Sequence, residues 1–93
     1  ASNAFALGLY YRLYFDITLC NSYINDVGSD PMRLAEARFI RAYNYASVLD
    51  VFGAGPFCTS VSSENAVYYN RKQLFDFVES ELLAIENQMA AIT

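Results

Sequence analysis

Pairs of carboxylates are the residues of this 93-residue sequence that come nearest to catalytic chemistry. A glycosidase places two carboxyl groups across a cleft at a defined separation. Glu79 and Glu81 would point to different faces of a helix, and Glu36 and Asp50 would lie about four helical turns apart. We therefore interpret these acids as parts of solvated helix faces and of local ion pairs, such as Glu36 with Arg33.

Histidine, the most common general base and zinc ligand, is absent from the sequence. The sequence also has no P-loop, no dinucleotide-binding glycine fingerprint and no nucleophile elbow. No residues follow the spacing of a metal site. We predict that the chain is not an enzyme and that it binds no metal and no cofactor.

The two cysteines lie in different surroundings. Cys20 belongs to an apolar helical face, whereas Cys58 lies in a segment without helical periodicity. We interpret Cys20 as a buried small hydrophobic residue and Cys58 as a partly exposed thiol. A disulfide between them remains the alternative, since two cysteines do not settle the redox compartment.

Acidic residues outnumber basic ones by ten to six, which gives a net charge of −4. Nucleic-acid binding needs Lys and Arg side chains that neutralise phosphates, so this charge balance argues against it. The same balance disfavours adhesion to an anionic membrane surface. No uncharged apolar run reaches the roughly 18 residues of a membrane-spanning helix, and no signal peptide or N-terminal lipidated cysteine is present.

A helix predicted over residues 31–52 is the element around which the others are arranged. Asp30 can cap its first N–H groups, Pro31 suits the first helical position, and Gly53 can end it in the left-handed conformation. Polar side chains form only a narrow stripe on this helix: Arg33, Glu36, Asn44 and Ser47. The first of its two apolar faces carries residues at helical spacing: Ala35, Phe39, Ala42, Ala46 and Leu49. Such a helix must be covered on more than one side.

Two further helices are predicted, over residues 3–27 and 71–89. Asn70 and Gln73 can form a capping box at the start of the last helix. Its apolar stripe is the cleanest in the chain: Leu74, Val78, Leu82, Ile85 and Met89. The short turn that contains Gly28 and Ser29 makes the first two helices antiparallel neighbours. Residues 53–70 are predicted to be an irregular connector, with an extended piece over 57–61 and a polar loop over 62–65.

These elements predict an all-α fold. Leu7-Gly8-x-x-Tyr11 and Ala35-x-x-x-Phe39 match parts of the tetratricopeptide consensus. We therefore expect an antiparallel helical repeat of the tetratricopeptide-like type.

The run AEARFIRAYNYASVLDVFGAGPF, which begins at Ala35, closely resembles a segment of the SusD/RagB family. The following residues match that segment's pattern: Glu36, Ala37, Arg38, Phe39, Arg41, Ala42, Phe52, Gly53 and Pro56. The first helix is similar to the family's first-repeat helix, with Tyr10 in place of the more usual tryptophan. The last helix carries the Glu81-Leu82 pair at a position where the family has an acidic residue and Leu. In that family, the segment lies in the tetratricopeptide-like part of a surface glycan-binding lipoprotein.

The resemblance implies a role in glycan uptake for the complete protein. It would lie on the extracellular face of a Gram-negative outer membrane, anchored by lipid, with the signal peptide and lipidated cysteine upstream of this chain. There it would bind oligosaccharide and cap a SusC-like TonB-dependent transporter. Residues 1–93 would then be a single helical segment of a much longer protein. The alternative is a helical scaffold that docks the transporter without binding sugar itself.

Tyrosine is the residue most suited to sugar binding in this sequence, which has eight tyrosines and no tryptophan. Most of them have the spacing of helical core residues. Tyr68 and Tyr69 lie in the connector and are therefore our candidate glycan-binding residues, expected to face opposite ways. Asn21 lies on an apolar helical face, and we interpret its carboxamide as a ligand of a neighbouring backbone group.

The composition predicts that some apolar surface is covered by other polypeptide. Hydrophobic residues make up 55% of the chain and charged residues only 17%. A chain of this length buries only about two-thirds of the surface that it exposes when unfolded. The cover would come from polypeptide outside these 93 residues or from self-association.

Overall fold

The computed structural model describes residues 2–62 and 66–92, and it contains three long helices and one small sheet. The helices are α1 (Ser2–Val27), α2 (Pro31–Phe52) and α3 (Arg71–Ile92), with strands β1 (Gly55–Phe57) and β2 (Val67–Tyr69) between α2 and α3. The predicted all-α class with three main helices is confirmed.

The connector departs from its prediction. Residues 53–70 contain an antiparallel pair of three-residue strands, so the segment is not irregular throughout. The extended piece expected over 57–61 was wrong for most of its length. Strand β1 ends at Phe57, where β2 stops supplying a partner, and residues 58–61 are not in a strand. Helix α3 continues to Ile92, past the expected end at residue 89, since no Gly or Pro interrupts it. Three residues of the predicted polar loop, 63–65, lie outside the described residues.

Local signals in the sequence fix the helix ends. Asp30 Oδ1 accepts hydrogen bonds from the backbone N–H of Met32 at 3.1 Å and of Arg33 at 3.2 Å. Gly53 ends α2 with φ at 79°, in the left-handed region that favours glycine. At the start of α3, the Asn70 and Gln73 side chains each accept the other's backbone N–H at 2.9 Å. The predicted caps are therefore confirmed.

Helix α2 packs against both other helices and is the centre of the fold. The turn at Gly28 sends α2 back along α1. Helix α3 runs antiparallel to α2, because its first residue, Arg71, lies next to Gly53, whereas Gln88 near its end donates a hydrogen bond to the Pro31 carbonyl. The three helices thus form consecutive antiparallel neighbours.

The core lies between the three helices at the end that carries the sheet. It contains Leu13 and Ile17 of α1, Tyr45 and Val48 of α2, and Leu74 of α3. Aromatic residues of the connector and of α3 pack against this cluster, among them Phe57, Tyr69 and Phe77. The hairpin therefore caps one end of the helical core.

Two assignments on α2 were wrong. Phe39, expected on a buried face, is half exposed, because the sector of α2 that also carries Ile40 and Tyr43 has no covering element among the described residues. Asn44, expected on the polar stripe, is buried, and its amide donates to the Ile40 carbonyl at 2.8 Å. An i to i−4 hydrogen bond of this kind lets a polar side chain lie inside.

Large apolar side chains also lie exposed along α1. The row has four-residue spacing and includes Leu7, Tyr11, Phe15, Leu19 and Tyr23. An uncovered row of this kind marks an interaction surface more often than an isolated exposed residue does. That other polypeptide or a second copy covers it stays a prediction.

Gly55 provides a test of the contact between the hairpin and the helices. A Cβ at this position would overlap the Tyr14 hydroxyl and lie 3.3 Å from Val48 Cγ1. Gly55→Ala should lower the free energy of unfolding by about 1–3 kcal/mol because of this overpacking. The measurement is urea unfolding followed by far-ultraviolet circular dichroism.

Gly8→Ala is the matched control, since apart from the neighbouring residues and the helix's own backbone no atom lies within 4 Å of a Cβ at that position. It should raise stability by about 0.5–1 kcal/mol. Wild-type stability of Gly55→Ala would show that the hairpin is not seated against α1 and α2 as described.

Candidate functional site

The hairpin carries both candidate tyrosines and places them on opposite sides. Its register pairs Gly55 with Tyr69, Pro56 with Tyr68 and Phe57 with Val67. Because successive strand residues alternate between the two faces, Tyr68 and Tyr69 project in opposite directions. The expectation that they face opposite ways is confirmed.

Tyr69 belongs to the aromatic core. Its ring stacks on Phe57 with centroids 4.1 Å apart and an angle of 1° between the planes. Phe57 in turn contacts Tyr45 at 4.9 Å and Phe77 at 4.6 Å. One ring face of Tyr69 is thereby occupied by protein, so its principal role is packing.

Tyr68 is the more accessible of the two candidates. Its exposed fraction is 71%, one of the highest among the large apolar and aromatic residues of the described chain. It lies opposite Pro56 in the strand register, a residue whose ring fixes the backbone φ angle. The structure therefore presents one aromatic ring to solvent from a short strand that pairs with β1.

Hydrogen bonds from the helices hold the hairpin in place. The Cys58 carbonyl accepts from Asn21 Nδ2 at 2.9 Å and from the Tyr45 hydroxyl at 2.8 Å. The Tyr45 hydroxyl also accepts the Cys58 N–H at 2.9 Å, and the Tyr14 hydroxyl donates to the Pro56 carbonyl at 2.8 Å. Asn21 thus ties down a backbone group, as its position on an apolar face indicated.

A buried charge network connects Asn21, which binds the Cys58 carbonyl, to α3. The Arg41 guanidinium donates from Nη1 to Asn21 Oδ1 at 3.1 Å and from Nη2 to Glu81 Oε1 at 3.2 Å. Arg38 binds both oxygens of Glu81 through Nε at 2.7 Å and Nη2 at 2.9 Å. We call Arg38, Arg41, Glu81 and Asn21 the polar network; it links all three helices and, through Cys58, the hairpin.

The polar network was not predicted from the sequence. Glu81 was assigned to a solvated face, yet its exposed fraction is 8%. The predicted pair of Glu36 with Arg33 was also wrong, because Arg33 lies beside Asp30 at 3.7 Å instead. The available signal was two arginines, three residues apart, on a helix that is otherwise mostly apolar. A charge on an apolar face needs a partner, so this spacing indicates an acidic residue on a neighbouring element.

Electrostatics favour the charged form of Glu81. Burial alone would raise its pKa, but the hydrogen bonds and positive charges of Arg38 and Arg41 outweigh burial and lower the pKa below its ordinary value. Burial raises the pKa of Tyr45 to about 12, and burial also raises the pKa of Tyr14. Both tyrosines therefore keep the proton with which they donate to the connector near neutral pH.

The remaining chemistry-bearing groups form no reactive centre within the described chain. Cys20 is buried and Cys58 half-buried, and both are free thiols. Burial raises the pKa of the Cys20 thiol, which disfavours the nucleophilic thiolate. Residues 2–62 and 66–92 hold no group of acidic or cysteine side chains that could ligate a metal. None of their helices is long and apolar enough to cross a membrane.

Comparison with known proteins finds a relationship to one glycan-binding protein. The chain is 34% identical over 86 residues to the starch-binding protein SusD of Bacteroides thetaiotaomicron. The match covers 87% of this chain but only 16% of that protein. No family model matches the chain, and no solved structure matches it. A SusD-like relationship is supported for this stretch, which is a small part of the SusD length.

The polar network predicts a dependence of stability on acid. Because pairing lowers the pKa of Glu81 in the folded chain, its contribution is present above the ordinary value of about 4.3 and is lost as the pH falls through the lower, folded value. Glu81→Gln should remove this part of the acid sensitivity. It should also cost about 3 kcal/mol at pH 7, since Arg41 would stay buried without its counter-charge.

Urea unfolding at a series of pH values measures both effects. Glu79→Gln, an exposed position two residues earlier on α3, is the control and should behave as wild type. An unchanged acid limb in Glu81→Gln would contradict the assignment of Glu81 as the titrating group.

Proposed function

We propose that this chain is the helical part of a non-catalytic component of glycan uptake. The observation that carries the proposal is the 34% identity, over most of the chain, to a protein that binds starch. An all-α scaffold that exposes the Tyr68 ring on a paired strand is compatible with that role, because sugar rings present apolar faces that pack on aromatic rings. Tyr68 is the side chain to which we assign this contact, with Tyr69 as its packed support.

The cellular setting of the proposal follows from the same resemblance. The complete protein would be a lipid-anchored member of the SusD/RagB family on the extracellular face of the outer membrane, where it would cap a SusC-like TonB-dependent transporter. The ligand would be an α-glucan or another neutral oligosaccharide. The acidic charge of the chain fits a neutral ligand better than an anionic one.

A second candidate function is a scaffold that binds the transporter and leaves sugar binding to other segments. The observation in its favour is the exposed apolar row of α1, from Leu7 to Tyr23, which resembles a protein contact more than a sugar site. Both functions are non-catalytic, and they differ in whether these 93 residues bind sugar.

Calorimetric titration of the chain with maltoheptaose distinguishes the two. Saturable heat is expected if the chain contributes to glycan binding, and Tyr68→Ala should weaken the affinity about tenfold, equivalent to about 1.4 kcal/mol. Because Tyr68 is 71% exposed, the melting temperature of the Tyr68→Ala variant should stay within about 2 °C of that of the wild-type chain.

Tyr43→Ala is the matched control. Tyr43 is 66% exposed on α2, outside the hairpin, and its removal should leave the affinity unchanged. No heat from the wild-type chain, together with retained binding to a TonB-dependent transporter, would favour the scaffold function. Equal losses of maltoheptaose affinity in Tyr68→Ala and Tyr43→Ala would contradict the assignment of Tyr68 as a specific glycan contact.

A further inference from the structure

A concave surface lies between the start of α1 and the end of α2. It is a cleft of about 290 Å³ lined by Asn3, Ala6, Leu7, Tyr10 and Phe52. The Tyr10 ring stands edge-on to Phe52, with centroids 5.6 Å apart and planes at 88°. We call this surface the aromatic cleft.

The lining of the aromatic cleft combines two kinds of group that a sugar ring needs. Tyr10 and Phe52 supply rigid aromatic surface, and Leu7 and Ala6 supply aliphatic surface. Asn3 supplies a carboxamide that can both donate and accept hydrogen bonds, and it is exposed. A pyranose has the same division, with apolar C–H faces and a rim of hydroxyl groups. None of the described residues that line the cleft is charged, so the cleft suits a neutral sugar better than an acidic one.

Contacts made by Tyr14 connect the aromatic cleft to the hairpin. The Tyr10 ring lies 4.7 Å from the Tyr14 ring, and the Tyr14 hydroxyl donates to the Pro56 carbonyl at 2.8 Å. Pro56 is the residue opposite Tyr68 in the hairpin register. Two contacts therefore link the cleft to the strand pair that carries Tyr68.

The size of the cleft limits what it can hold. A volume of about 290 Å³ lies at the lower end of the range of small-molecule sites and is suited to one sugar unit rather than to a whole oligosaccharide. A longer ligand would have to continue outside the cleft, and Tyr68 is the exposed aromatic residue of the adjoining hairpin.

We propose that the aromatic cleft is a subsite for one neutral hexose unit of an oligosaccharide whose other units reach Tyr68. This inference rests on the proposed glycan-binding function and adds a second point of contact to it. It assigns the hydroxyl contacts to Asn3 and the ring contact to Tyr10. It also predicts that affinity rises with ligand length, because a short sugar can fill the cleft or reach Tyr68 but not both.

The test is titration of the 93-residue chain and its variants with maltose and maltoheptaose. Asn3→Ala removes the carboxamide from an exposed position, and Ala6→Phe fills the cleft from within. Each should weaken maltoheptaose binding about fivefold or more, with the melting temperature within a few degrees of wild type. Asn25→Ala, an exposed asparagine near the other end of α1, is the control and should bind as wild type.

The amide proton signals of the Asn3 side chain give a second readout in a two-dimensional NMR titration. They should shift on addition of maltoheptaose in the wild-type chain and also in Tyr68→Ala at higher ligand concentration. Wild-type binding that Tyr68→Ala weakens but Asn3→Ala and Ala6→Phe leave unchanged would overturn the subsite and keep the proposed function. A wild-type chain that binds no maltoheptaose would overturn both.

Discussion

The carboxylate of Glu81 accepts hydrogen bonds from Arg38 and Arg41, and Arg41 extends the contact to Asn21 on α1. Removal of charges from water costs several kcal/mol per ion, and close, multiple hydrogen bonds must repay it. Arg38 meets this requirement with a two-point contact, whereas Arg41 leaves Nε without a partner among the described residues. We therefore expect the network to contribute less to net stability than to the alignment of α1, α2 and α3, because other alignments would leave buried charges unpaired.

The hairpin depends on this arrangement. Asn21 and Tyr45 both bind the Cys58 carbonyl, so the chain leaving β1 is fixed to α1 and to α2 at one atom. Phe57 stacks on Tyr69 within the hairpin and contacts Phe77 of α3. Tyr68 is exposed on a strand pair that is tied to α1 and α2 by these contacts. The candidate site is thus a product of the buried polar contacts rather than of the hairpin's own six paired residues.

The sequence predicted what depends on neighbours along the chain. Caps at Asp30, Gly53 and Asn70 and the periodicity of the helices are local, and the structure has all of them. The pairing of Arg38 with Glu81 joins residues 43 positions apart, and nothing local distinguishes Glu81 from the exposed Glu79. The β1–β2 pair is also non-local, and three-residue strands have too little periodicity to be recognised. Tyr68 was named from its place in the connector, but its exposure depends on the strand register.

The polar network also constrains how relatives of this chain can diverge. Glu81 is shared by two guanidinium groups, so a substitution at 81, 38 or 41 changes the environment of the other two. Lysine cannot reproduce the two-point contact of Arg38. Substitutions at these three positions are therefore expected to be coupled. A change from charged to apolar residues should affect all three positions together or none of them. The exposed acid at 79 is free of that coupling, and its identity should vary independently.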